Sequence, residues 1–310
     1  MVTPATQLVD EQTHALHEAL TAAIRSIITD LPHIAAKVTT QRQSPQVRAD
    51  AAERVFPAIV AAALGVSTKK ALALCTASAL WWMSTDSDTL GAQCGAMLAI
   101  RHLKPVRASA SCKLEWFDEV SRSTTSVLET RLAERARHYT EISRKNVLAS
   151  CLGETGAAYA RDAAMAAHLV DEHPVEEWRR FGAVYGLMRQ LHADHQKSTV
   201  DSDGDPVLVV PPLLAAHAFQ LAKPGVRLEL ARLLREKSSS DTGRSDVLRD
   251  LLRAPRVVEA YARDLRKLHG KARVLLGTLN AAEDARVVLK SGVDSVIQLA
   301  MPGGRELIGV

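Results

Sequence analysis

Gly182, Gly186 and Gln190 recur every four residues within FGAVYGLMRQLHADHQKS, residues 181 to 198. A stretch of that pattern reads as helix, so the three lie on nearly one face, with Asp194 one further turn along. Each glycine costs roughly 1 kcal/mol relative to alanine inside a helix. Two on one stripe imply that another helix or a ligand comes very close, and the fold must supply that neighbour.

The rest of the chain favours helix as well. Aromatic residues are only 4% of the sequence, while alanine, leucine, arginine and glutamate dominate, so few of the β-branched and aromatic runs that strands need are present. The expected fold class is all-α. With 310 residues and 47% hydrophobic content the chain can bury a large core. The connections HLKPVRASAS, DEHP, VDSDGDP, AKPG and EKSSSDTGRS hold turn-forming residues, and none reads as an interdomain linker. A single domain over 1–310 is therefore expected, with MPGGRELIGV at 301–310 a flexible tail. No repeat of fixed period occurs.

Helical patterning and breakers predict helices over 7–40, with a kink near Pro32, then 48–64 with Gly65 as C-cap, 67–84, 90–103 and 114–149. Others are predicted over 154–171, 175–198, 208–222, 225–236, 243–252, 255–278 and 281–299.

The 39 basic and 35 acidic residues give a net charge of +4 and are interspersed along the chain, so no large single-sign field is expected and nucleic-acid binding is not implied. Cys75, Cys94, Cys112 and Cys151 lack CxxC spacing and read as reduced thiols in predicted helices, which suits a cytoplasmic protein. The N-terminus carries acids and histidines where an export signal would be basic and then apolar. The most apolar segments, 57–66 and 71–83, are too short to span a bilayer and are separated by Lys69 and Lys70, so no membrane span is expected.

Read in order, several segments resemble the trans-isoprenyl diphosphate synthases, the polyprenyl synthetase family. Gly182, Gly186 and Gln190 match that family's Gly-x-x-x-Gly-x-x-x-Gln helix, which leads into its second aspartate-rich motif. The stretch from Glu154 resembles its Lys-Thr-Gly segment through Thr155 and Gly156, and RVFPAIVAAALG at 54–65 resembles its Lys-Arg-x-Arg-Pro helix. LVVPPLLAAHAF at 208–219 and 272–297 are similar to its Thr-x-Pro and closing helices. The resemblance covers most of the chain. It implies an isoprenoid-synthase-like helical bundle around a central cavity, usually dimeric, in which two facing aspartate-rich helices hold Mg²⁺ ions that grip an allylic diphosphate.

The residues that this chemistry needs are altered. Mg²⁺ takes octahedral oxygen ligands, so several carboxylates must converge. Around the first motif, positions 77–91, the register is ambiguous and makes Asp86 either the last or the first aspartate, yet neither Asp86 nor Asp88 has a second carboxylate three or four residues away. In the second motif the family's three aspartates fall on Ala193, Asp194 and Lys197. Its diphosphate-binding lysine and arginine fall on Glu53 and Phe56, leaving Arg54, and its allylic-side lysine falls on Glu154. A diphosphate brings roughly three negative charges into a low-dielectric cleft, where unpaired charge costs several kcal/mol, so ordinary synthase activity is not expected.

The function expected from this is a non-catalytic synthase homologue, a partner or regulatory subunit in isoprenoid biosynthesis, needing no cofactor and forming a homodimer or a heteromer with an active prenyl synthase. One alternative is a divergent prenyltransferase or terpene synthase using Mg²⁺ on a reduced set, with Asp86 and Asp194 as ligands. Another is an isoprenoid-binding protein without chemistry. In each case the substrate- or ligand-facing candidates are Trp81, Trp82, Asp86, Asp88, Gly186, Gln190 and Asp194. Trp81 and Trp82 either line a terpenoid cavity, where aromatic faces stabilise cations, or pack as core. His192, Asp194 and His195, joined by Asp86, offer metal-capable atoms, although adjacent helical residues point apart. His14 and His17 read as surface residues, and DSDGDP at 201–206 reads as an Asp-rich turn, since Pro206 stands where a calcium loop needs glycine.

Overall fold

Every element among the described residues is helical, as the composition predicts. The computed structural model describes residues 4–30, 55–85, 89–136, 142–170, 174–199, 211–235 and 250–298. In chain order the helices are α1 (Pro4–Asp30), α2 (Phe56–Ala63), α3 (Thr68–Thr85), α4 (Thr89–Leu103), α5 (Ala110–Ala136) and α6 (Arg144–Cys151). A π-helical turn (Leu152–Gly156) leads into α7 (Ala157–Ala167). There follow α8 (Val175–Thr199), α9 (Pro212–Leu221), α10 (Pro224–Arg235), α11 (Pro255–Thr278) and α12 (Glu283–Gln298). The predicted kink at Pro32, the turn at 201–206 and the tail at 301–310 lie outside the described residues.

Gly65 ends α2 as expected, and its backbone shows how. At φ +71° it occupies the left-handed region open to glycine. The amide of Val66 donates to Ala61 O at 2.8 Å and that of Gly65 to Ala62 O at 3.1 Å, the paired bonds of a Schellman motif.

Two predicted boundaries are corrected. The single helix expected over 114–149 is two, because Ser143 caps a new start: its Oγ accepts from the Asn146 amide at 3.2 Å. Conversely, the expected break between 149 and 154 is absent. The π-turn carries the helical path from α6 into α7, and its glycines are held by packing: a Cβ on Gly156 would lie 3.1 Å from Ala183 O.

The interior is organised around α8, which packs on α7, the π-turn, α11 and α12. Trp178, Phe181, Val184, Leu187, Met188 and Leu191 from α8 are all buried. The neighbour demanded by the glycine stripe is the π-turn and α7. A Cβ on Gly182 would lie 2.4 Å from Tyr159 O, and one on Gly186 would lie 2.7 Å from Thr155 O. Those are approaches that a real Cβ cannot make, so both glycines are required by helix contact.

No helix among the described residues is long and apolar enough to cross a membrane. The four cysteines are free thiols, with Cys75 and Cys151 buried.

Candidate functional site

The described candidates on α3 and α8 are joined into one line by Tyr159 on α7 and Thr155 in the π-turn. Trp81 is fully buried, its Nε1 donating to Thr124 Oγ1 at 3.0 Å, and its ring meets that of Trp82 edge-on at 5.2 Å. Trp81 is thus core. Trp82 is half-buried and reaches the ring of Tyr159 at 6.5 Å. Tyr159 packs on Gly186, where Thr155 O also closes in. From Thr155 a hydrogen-bond relay runs outward: Thr155 Oγ1 donates to Gln190 Oε1 at 2.6 Å, and Gln190 Nε2 donates to Asp194 Oδ1 at 2.8 Å. The i, i+4 spacing read from sequence places Gln190 and Asp194 in that contact. Asp86, Asp88, Glu53 and Arg54 lie outside the described residues, as does the side chain of His195.

Three carboxylates act on Cys151, at the start of the π-turn. Burial, joined by Asp194, Glu134 and Glu154, pushes the Cys151 thiol up to about 12. Burial, then Asp194 and Cys151, likewise raise the Tyr261 hydroxyl. Glu154, which stands where the resemblance places a lysine, is itself paired: Arg131 Nε on α5 donates to its Oε1 at 2.9 Å. Phe56, standing in place of an arginine, is 2% exposed, stacks on Tyr185 at 5.0 Å with the rings 9° from parallel, and meets Tyr159 at 4.8 Å. A position expected to bind phosphate is part of an aromatic stack.

Of the two candidate Mg²⁺ ligands, only Asp194 falls among the described residues. Octahedral coordination needs several oxygens on one locus, whereas Asp194 is flanked by Ala193 and a lysine at 197, and one of its oxygens accepts from Gln190. Among the described residues no three His, Cys, Asp or Glu side chains are grouped for a metal. His192 is buried, while His14 and His17 are exposed on α1, the former 3.7 Å from Glu18.

Charge clusters around the buried carboxylates Asp162 and Asp264 escaped the sequence reading. In the first, Arg161 Nε and Nη2 grip Asp162 Oδ1 at 2.8 and 2.6 Å, Ser78 donates to Asp162 Oδ2 at 2.7 Å, and the guanidinium carbon lies 4.3 Å over the Trp81 ring. Burial pushes the Asp162 carboxyl up, opposed by Arg161 and Ser78. The signal was present, since Arg161 and Asp162 are the only charges in α7. In the second, Asp264 accepts from Arg144 Nη2 at 2.9 Å and also from its Nε, and lies 3.0 Å from His217 Nε2. Burial raises the Asp264 carboxyl, but Arg144 and His217 outweigh it and hold it below its ordinary value. Burial lowers His217, against the pull of Asp264. No sequence spacing marks this trio, which joins α6, α9 and α11.

No protein-family model matches the sequence, and no curated protein matches it either. Solved structures do match the fold. A decaprenyl diphosphate synthase from Rhodobacter capsulatus superposes with a TM-score of 0.73 at 14% identity, covering 94% of this chain and 99% of that one. A geranylgeranyl pyrophosphate synthetase from Pyrococcus horikoshii Ot3 gives 0.71 at 14% identity, covering 93% and 98%. A polyprenyl synthetase from Streptomyces coelicolor A3(2) gives 0.70 at 17% identity, covering 94% and 99%. The chain has the all-α fold of the polyprenyl and geranylgeranyl diphosphate synthases.

Proposed function

We propose that this protein is a non-catalytic relative of the trans-isoprenyl diphosphate synthases, acting in the cytoplasm as a partner or regulatory subunit of an active prenyl synthase. The observation that carries this reading is the Arg131–Glu154 ion pair beside the Thr155–Gln190–Asp194 relay. A cation at position 154 would attract an allylic diphosphate; a glutamate there repels it, and its partner Arg131 is already engaged. The substitution of Phe56 for a cation acts in the same direction. A fold that keeps its helices and core without the cations that would grip a diphosphate is suited to binding another subunit.

The experiment is affinity purification of the tagged protein from its native host, followed by assay of the pure protein and of the mixture with geranyl, farnesyl and geranylgeranyl diphosphates and Mg²⁺. The reading predicts a co-purifying synthase and no turnover by the pure protein. Turnover by the pure protein that is lost in Asp194→Ala would overturn it in favour of a divergent enzyme.

A further inference from the structure

Charges that look interspersed along the chain are concentrated on one face of α11. Its inner side buries Val257, Tyr261, Leu265, Ala272 and Leu276. Its outward side exposes Arg256, Arg263, Arg266, Lys267, Lys271 and Arg273, against the single carboxylate Glu259. At 100° per residue these six cations fall within less than half of the helix circumference, over about 25 Å of its length. None of the six is in an ion pair among the described residues. Val274, 67% exposed, lies near the middle of the same arc, flanked along the helix by Gly270 and Gly277.

We propose that this face docks the protein peripherally on an anionic lipid surface. Three classes of partner carry the required negative charge, and the face discriminates among them. Protein interfaces are built on an apolar and aromatic centre, whereas this arc offers one exposed valine and no aromatic ring. Nucleic-acid sites that hold bases use stacking platforms, which are missing here. A sheet of lipid headgroups needs neither: it is attracted by a dense, shallow row of cations, and a short apolar side chain between them can enter the interface. The basic amphipathic helix is the sequence form of such a surface.

The test uses the full-length protein with sedimenting vesicles of phosphatidylcholine alone and of phosphatidylcholine mixed with phosphatidylglycerol. Binding is expected to the mixed vesicles and not to the neutral ones. It should weaken on going from 0.1 to 1 M salt, as the screening length contracts from about 10 to about 3 Å. The exposed variant Arg263→Gln/Lys267→Gln/Lys271→Gln should lose about a hundredfold in affinity, at roughly fivefold for each cation removed, while Arg263→Lys retains binding. Equal binding to both vesicle types, or an unchanged affinity in the triple variant, would overturn the proposal. So would binding of a fluorescent DNA duplex by a protein that ignores the mixed vesicles.

Discussion

Gln190 donates from Nε2 to Asp194 Oδ1 across 2.8 Å, one helical turn apart on α8, while its Oε1 accepts from Thr155. The carboxamide is thereby fixed at both ends, and the carboxylate is drawn into an internal relay. Asp194→Asn keeps the shape but removes one charge that, after burial, helps to raise Cys151 and Tyr261. We expect Cys151 to become more acidic in that variant, its pKa falling from about 12 while burial still holds it above the ordinary thiol value. Alkylation rate against pH measures this, and an unchanged profile would contradict the placement of Asp194.

The Arg131–Glu154 pair is only partly buried, with side-chain exposures of 22% and 35%. Solvent screens such a pair, so its contribution to stability is small. A double-mutant cycle with Arg131→Ala and Glu154→Ala should give a coupling of about 0.5–1 kcal/mol by urea denaturation.

Two glycine substitutions should have opposite signs. Gly182→Ala forces a Cβ toward Tyr159 O at 2.4 Å, a backbone atom that cannot rotate away. We expect a net loss of about 1–3 kcal/mol despite the better helix propensity of alanine. Gly270→Ala on α11 meets nothing within 4 Å and should gain up to about 1 kcal/mol. Thermal melts of the two variants compare them directly.

Asp162→Ala leaves Arg161 charged, 2% exposed and without its carboxylate. Breaking a buried pair from one side costs about 3–5 kcal/mol. Replacing both partners, as Arg161→Met/Asp162→Leu, should recover most of that loss, because the desolvated charge goes with them. A double variant no more stable than Asp162→Ala would show that packing of the guanidinium on Trp81 dominates instead.

Stability should fall with acid in two windows. His217 and His102 are held below their ordinary value of 6.5 by burial. The folded state resists a proton that the unfolded state accepts, so stability is full above 6.5 and declines as pH drops below it. Asp264 is depressed below 3.8 and Glu119 below 4.5, so their contribution is present above those values and is lost as pH falls through the lower folded values. Urea midpoints against pH should show both declines, with His217→Gln flattening part of the first.

The fold was legible because helix periodicity, turn residues and the glycine stripe are local signals. Gly65 as a terminator and a close neighbour against Gly182 follow from single-residue sterics, whereas the identity of that neighbour as α7 does not. What was hidden depends on pairing across the chain. The loss of a lysine at 154 is visible in sequence, but its capture by Arg131, 23 residues away on another helix, is not. Ser143 was read through as helix interior because a serine there is neutral until its hydroxyl finds an amide. The cationic arc of α11 vanished in a whole-chain charge count, which sees Asp264 and ignores that it faces inward.

The central claim is most directly tested by calorimetric titration of the pure full-length protein with farnesyl diphosphate, with and without Mg²⁺. The account predicts no metal-dependent binding of the diphosphate. Saturable binding that requires Mg²⁺ and disappears in Asp194→Ala would contradict it.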